Sequence, residues 1–326
     1  MGIEAPARDT INSVLKWLLL IVGVCTFAGL IWAAKITYST VPPQPEQFVS
    51  VSGNIVMTND DIVAGKAGFQ RADLMDYGSL YGMGSYFGED YTAQYLHALG
   101  VAVENNIAQS RYFQGFDQLS PDDQNVVQRE MQGMLQGVDL TQERAALPDP
   151  LADAIGTLRT DIAGKLLSGD PANGWTGART LNSVSAAQTA DFLIFSSLTT
   201  VARRPDGSAS WTQNWPYEPL VGNTPTTSTF IWTWVSFMFT FFCFGLVIFV
   251  YEYFLNRRDT APKEFALTEF RPLTESQRKV GKFFLAVAAV FLAQLGAGVL
   301  MAHDYADRVS FYGITINNFL PFNFLR

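Results

Sequence analysis

The chain has 326 residues but only two cysteines and two histidines, and both shortages exclude chemistry. Cys25 and Cys243 lie inside apolar runs, where neither a disulfide framework nor a thiolate metal site would sit, so they read as small apolar side chains. Neither is followed by the Cys-His pair of a covalent haem motif, so no c-type haem can be attached. Charge is also scarce, at 16% of residues, and it sums to -8. That balance removes nucleic acid as a partner, because such binding needs clustered Lys and Arg to neutralise phosphates. No repeat and no low-complexity tract is present.

Apolar residues, by contrast, are plentiful at 48% and collect in three long runs. The first, 17–34, carries no charge between Lys16 and Lys35 and has the length of one membrane span. It is too long for a secretory signal and is followed by no small-residue cleavage site. The second, 230–251, places Trp232 and Trp234 near one end, where indole rings favour the headgroup region; the third is 283–302. Between the last two lie Arg257, Arg258, Lys263, Arg271, Arg278, Lys279 and Lys282, which hold that loop in the cytoplasm. The N-terminus is then cytoplasmic as well, and the large segment between the first two spans faces the periplasm or exterior. Gln294, Gly296, Ala297 and Gly298 give the third span a close-packing surface. Glu252 reads as an interfacial ion-pair partner of Arg257 and Arg258.

The organisation expected is therefore an N-terminal membrane helix (1–35), an outer domain (36–228), a second membrane helix (229–255), a basic cytoplasmic loop (256–281), and a third helix with its outer exit (282–326). The outer domain opens on a Pro-rich spacer, "TVPPQPEQ", which suits an extended conformation. Alternation with Gly53 predicts a small hairpin over 50–57. Helical spacing then predicts a helix opening at "TNDD", with Asn and Asp suited to its N-cap, and a second over 90–113. A third is expected after Ser120 and Pro121, with two more near 150–167 and 183–202. Between the first two lies "YGSLYGMGSYFGEDYTAQYLH", 77–97. Its glycines and tyrosines predict a tightly turned, aromatic-covered loop, which serves either a ligand or interface or plain packing. His97 reads as a capping or core histidine, since no ligand partner stands at helical spacing beside it.

Three stretches together resemble one family, the quinol-oxidising nitric oxide reductases, single-chain relatives of the haem-copper oxidases. They are the loop 77–97, "SWTQNWPYEPLVGNTPT" at 210–226, and "GAGVLMAHDYADRVSFYGITINNFLPFNFLR" at 296–326. The resemblance runs along the whole chain but covers only the N-terminal part of the family's length. It implies a mainly α fold: three transmembrane helices plus an outer cytochrome c-like helical domain that has lost its haem and keeps a small β-hairpin. The activity implied is reduction of two NO to N2O and water with electrons from membrane quinol, in the bacterial inner membrane.

By the same resemblance Gly84 and Tyr86 match positions that help hold a calcium ion, whose carboxylate ligand would come from elsewhere in the enzyme. His303 and Asp307 match a His-x-x-x-Glu pair at the quinol site, where imidazole and carboxylate accept the hydroxyl protons. Here Asp replaces Glu, and a plain helix-end pair beside Arg308 is the competing reading of those residues. Arg326 matches an arginine that pairs with haem propionates. Haem b and non-haem iron belong to the complete enzyme, which needs more histidines than His97 and His303 supply. The expected partners are therefore quinol, the lipid bilayer and the remainder of the catalytic core, in the same chain or a separate subunit, so that this chain would not be active alone; a homodimer is compatible with the sequence. The alternatives are a relative acting as an NO dismutase, to which quinol is dispensable, and a non-catalytic membrane-anchored module of a split reductase.

Overall fold

The computed structural model describes residues 17, 20–21, 23–25, 27–32, 35–36, 38–85, 88–171, 176–250, 280–281, 283–285 and 287–292. Most of this is helix, joined by a small sheet. The hairpin expected near Gly53 forms as β1 (Gln47–Ser50) and β2 (Ile55–Thr58), antiparallel, with Phe48 opposite Met57. Gly53 turns the chain at φ 91°, a left-handed conformation that only glycine takes at little cost. A separate two-stranded ribbon, β3 (Ser79–Leu80) and β4 (Met83–Gly84), lies in the glycine-rich loop. A further strand, β5 (Arg144–Leu147), pairs in parallel with β1 and makes the first sheet three-stranded in the order β2-β1-β5. Sequence reading did not expect it. Its four residues, RAAL, carry no β-branched or aromatic side chain, and only burial of Ala145 and Leu147 on one face marks it as a strand.

The helices fall where the apolar spacing put them. They are α1 (Asn59–Arg71), α3 (Tyr91–Tyr112), α4 (Pro121–Gln136), α5 (Asp149–Ser168) and α6 (Ser183–Val201), with a single turn, α2 (Leu74–Tyr77), after the first. Thr58, rather than Asn59 or Asp60, caps α1 by accepting the Asp61 N–H at 3.2 Å. Ser120 caps α4 with Pro121 at the first turn, and Asn182 and Ser185 form a reciprocal capping box on α6.

Helix α6 is the axle of the domain: residues 189–201 are all buried. Its apolar rings meet those of α1 and α3, with Phe69 5.5 Å from Phe192 and 5.9 Å from Tyr91. Tyr91 in turn stacks on Tyr95 and donates its hydroxyl to Leu74 O at 2.7 Å. The interior between these helices is thus filled with side-chain rings. Helix α1 reaches α6 through Gly65 and Gly68. A Cβ at Gly65 would lie 1.9 Å from Gln188 O, and one at Gly68 would lie 2.1 Å from Thr189 Oγ1. Arg159 of α5 secures the other side, pairing with the buried Asp191 at 2.5 Å and donating to Val56 O.

Helix α7 (Thr227–Val250) leaves this domain, and its residues Thr227–Leu246, mean hydropathy 1.6, are long and apolar enough to cross a membrane. Its side chains are exposed almost throughout, Phe and Trp included. Shorter apolar helices cover Gly23–Trp32 and Phe283–Leu292.

Candidate functional site

The glycine-rich loop is built around one carboxylate. Asp90 caps α3 by accepting the Ala93 N–H at 3.1 Å with Oδ1, which Thr92 Oγ1 also approaches. Its Oδ2 accepts from Gly82 N at 2.7 Å and from Ser79 Oγ at 2.8 Å, so a single side chain ties the helix start to both arms of the loop. Hydrogen bonds to an ionised acceptor are about twice as strong as neutral ones, which suits this residue to fix a segment rich in glycine. Tyr81, at φ 53°, swings its ring under the loop. Its hydroxyl donates to Ser196 O at 3.1 Å and shares a hydrogen with Thr199 Oγ1 at 2.7 Å, and burial pushes the phenol's pKa well above its ordinary value.

Gly84 ends the short ribbon of β3 and β4. It is exposed, at φ 131°, and a Cβ there would meet Gly78 O at 2.5 Å. The loop therefore displays the Gly84 backbone on a rigid frame. Tyr86, His303, Asp307 and Arg326 lie outside the described residues. Among the described residues no group of three or more His, Cys, Asp and Glu stands together as a metal site.

The second quoted stretch meets the first. A Cβ on Gly82 would sit 3.6 Å from the Trp215 ring, and the segment 203–226 wraps beneath the loop. Gln132 and Gln136 of α4 donate to Leu220 O and Val221 O at 2.8 and 3.0 Å, and Asn223 donates to Thr200 O at 2.8 Å. His97 is neither a cap nor a core residue. Its side chain is 57% exposed and pairs with Glu218 Oε2 at 3.2 Å, so the imidazole staples this segment to α3. Two turns along α3 lies Glu104, 2% exposed, with Oε1 lacking a partner among the described residues. Burial pushes its carboxyl up to about 7, against the opposing influence of His97.

Between the loop, the end of the N-terminal helical stretch and the start of segment 203–226 lies a cavity of about 520 Å³, bounded by Ile36, Pro42, Tyr81, Met83, Arg204 and Trp211. Sequence reading singled out neither the Asp90 hub nor the Arg204–Trp211 pair. Asp immediately before an apolar helical run is an N-cap signal, so Asp90 was visible in part. Arg204 and Trp211 are brought together by a turn whose course no local pattern declares.

Comparison with known families agrees with this architecture. Residues 45–217 match the family model for the cytochrome c-like domain of the nitric oxide reductase component NorB. No curated protein matches the chain. The matched region includes the sheet, all six helices from α1 to α6 and the Trp-Pro-Tyr turn, and it takes up more than half of the sequence. On that coverage the chain belongs to the NorB family of nitric oxide reductases, whose cytochrome c-like domain it carries.

Proposed function

We propose that this chain is the N-terminal part of a quinol-dependent nitric oxide reductase, contributing its periplasmic domain and part of its quinol site. The reaction is 2 NO + 2 e⁻ + 2 H⁺ → N2O + H2O, with both electrons drawn from a membrane quinol. The observation that carries the reading is the family match over 45–217 joined directly, through 218–226, to the apolar helix α7. In this reading three helices span the bacterial inner membrane and the basic loop 256–281 stays in the cytoplasm, as its six Lys and Arg residues favour. A polar row on α7, Thr229, Thr233, Ser236 and Thr240, supports packing of that helix against others in the membrane.

In this reading His303 and Asp307, four residues apart in sequence, take the two quinol protons. Haem b and non-haem iron, which the rest of the core would hold, would supply electron transfer and NO reduction. The Gly84 carbonyl, presented on its fixed turn, is a suitable hard oxygen donor for calcium together with the Tyr86 phenol. A further carboxylate must join them, because oxygen sites for calcium need six or more ligands. Arg326 would pair with the haem propionates. In the complete enzyme Asp307→Asn is expected to cut quinol-driven turnover while sparing turnover with an artificial reductant. Equal loss with both donors would remove the quinol assignment. Undiminished quinol-driven turnover would refute the role of Asp307, and absence of quinol-driven turnover in the wild type would favour the dismutase-like relative that Asp at this position also fits.

A further inference from the structure

Arg204 stands half-buried in the wall of the 520 Å³ cavity and forms no ion pair among the described residues. Its Nη2 donates to Trp211 O at 3.1 Å and its guanidinium carbon lies 5.5 Å from the Trp211 ring centre. Two buried donors of this pair, Arg204 Nε and Trp211 Nε1, have no acceptor among the described residues. Asp206 is near enough for its charge to interact with that of Arg204, but its Oδ1 is turned to Ser208 N and Oγ at 3.1 and 2.8 Å and the two form no ion pair. A guanidinium that lines a cavity without an ion-pair partner among the described residues matches an oxyanion as its counter-charge.

The surroundings narrow the class of anion. Ile36 comes from the end of the N-terminal helical stretch and Pro42 from the extended run after it, and Gln213 accepts from the Thr226 N–H and hydroxyl just before α7 begins. The cavity therefore lies where two apolar helices meet the polar domain, with Ile36, Pro42 and Met83 as an apolar side and Arg204 as the charged one. None of the described residues lining it is acidic, so the ammonium of a zwitterionic headgroup would find no counter-charge there. We propose that this cavity binds the phosphate of an anionic phospholipid headgroup, with Arg204 as its charged anchor. The proposal rests on the reading of α7 as a membrane span.

The test uses the full chain in mixed micelles containing equimolar phosphatidylglycerol and phosphatidylcholine, with retained lipid counted by native mass spectrometry. The cations of 256–281 give a background common to every variant, so the quantity read is the difference between variants. Arg204→Gln is expected to lower phosphatidylglycerol retention about ten-fold, the ratio expected from losing one charge-assisted hydrogen bond, and to leave phosphatidylcholine unchanged. Gln213→Glu, at an exposed position on the rim, places a carboxylate against the incoming phosphate and is expected to act in the same direction without disturbing the Arg204–Trp211 contact. Near-ultraviolet circular dichroism reports whether each variant keeps its fold, and Gln213→Glu decides the question if Arg204→Gln does not. Wild-type retention in a folded variant overturns the site. Inorganic phosphate displacing the lipid at equal concentration makes it an ion site and overturns the lipid assignment. Flotation with phosphatidylcholine vesicles is run beside it. A chain that does not float removes the membrane reading as well, whereas a chain that floats but shows no variant difference removes the headgroup site alone.

Discussion

Replacing Glu104 with Gln should stabilise the cytochrome c-like domain at alkaline pH and not at acid pH. The carboxyl is 2% exposed, one of its oxygens has no partner among the described residues, and burial holds its pKa at about 7 against an ordinary 4.5. Because the folded value lies above the unfolded one, the folded state keeps a proton that the unfolded chain has already released between these two pH values. Stability from this group therefore falls as pH rises from about 4.5 to about 7, and the cost is fully present above that. At about 1.4 kcal/mol per pH unit the ceiling is about 3 kcal/mol, and relaxation with water entry leaves about 1–2 kcal/mol to be regained. For a domain of this size that is a rise of about 2–8 °C in Tm. The assay is thermal unfolding of the full chain in detergent, followed by near-ultraviolet circular dichroism at pH 5 and pH 8, for wild type and Glu104→Gln. A gain at pH 8 that disappears at pH 5 is expected. An equal change at both pH values, or a loss at pH 8, would refute the claim that an unpaired buried charge is the cause.

Asp90→Asn should leave the fold in place but loosen the loop. It weakens acceptance from Gly82 N, Ser79 and the α3 start together, at a cost of about 2–4 kcal/mol, read as faster hydrogen exchange at Gly82. Gly65→Ala should separate α1 from α6, since its methyl would lie within 2 Å of Gln188 O; a loss of about 2–4 kcal/mol in denaturant unfolding is expected, and a neutral result would mean that the contact is not tight. Tyr81→Phe removes a buried hydroxyl that bonds Ser196 O and should cost about 1 kcal/mol with no change in pH dependence below pH 9. Gly84→Ala, at φ 131° and with its methyl 2.5 Å from Gly78 O, should distort the ribbon's end and cost about 1–3 kcal/mol in denaturant unfolding; an unchanged midpoint would mean that the turn does not need glycine.

Helix positions were legible because long apolar spacings and caps such as Ser120-Pro121 and Asn182 are local signals. The parallel strand β5 was not legible, because its partner lies about a hundred residues away and its own four residues have no strand preference. His97 was misplaced for a similar reason: its partner Glu218 is 121 residues distant, and a histidine's surroundings cannot be inferred from its own helix. The glycine-rich loop could be recognised by composition, yet its organising residue was the aspartate at its end. Arg204 gave no sequence signal at all, since an unpaired arginine looks the same in sequence as a paired one. Of the residues singled out by resemblance, Gly84 lies in a described turn whose φ explains why glycine stands there.

The two ends of the cytochrome c-like domain are attached to their neighbouring helices in different ways. On the entry side, residues 41–45 make an extended run with two consecutive prolines, Pro42 and Pro43, and no helix or strand of their own. On the exit side the chain passes from the buried α6 through a segment fastened by Gln132, Gln136, His97 and Asn223, and then bonds Thr226 to Gln213 one residue before α7. The exit is thus held by side-chain hydrogen bonds, and the entry by burial of Pro42 and Pro45. The same segment that ends at α7 carries Trp215 to within van der Waals reach of Gly82, so a movement at the foot of that helix has a short path of bonded and packed residues to the glycine-rich loop.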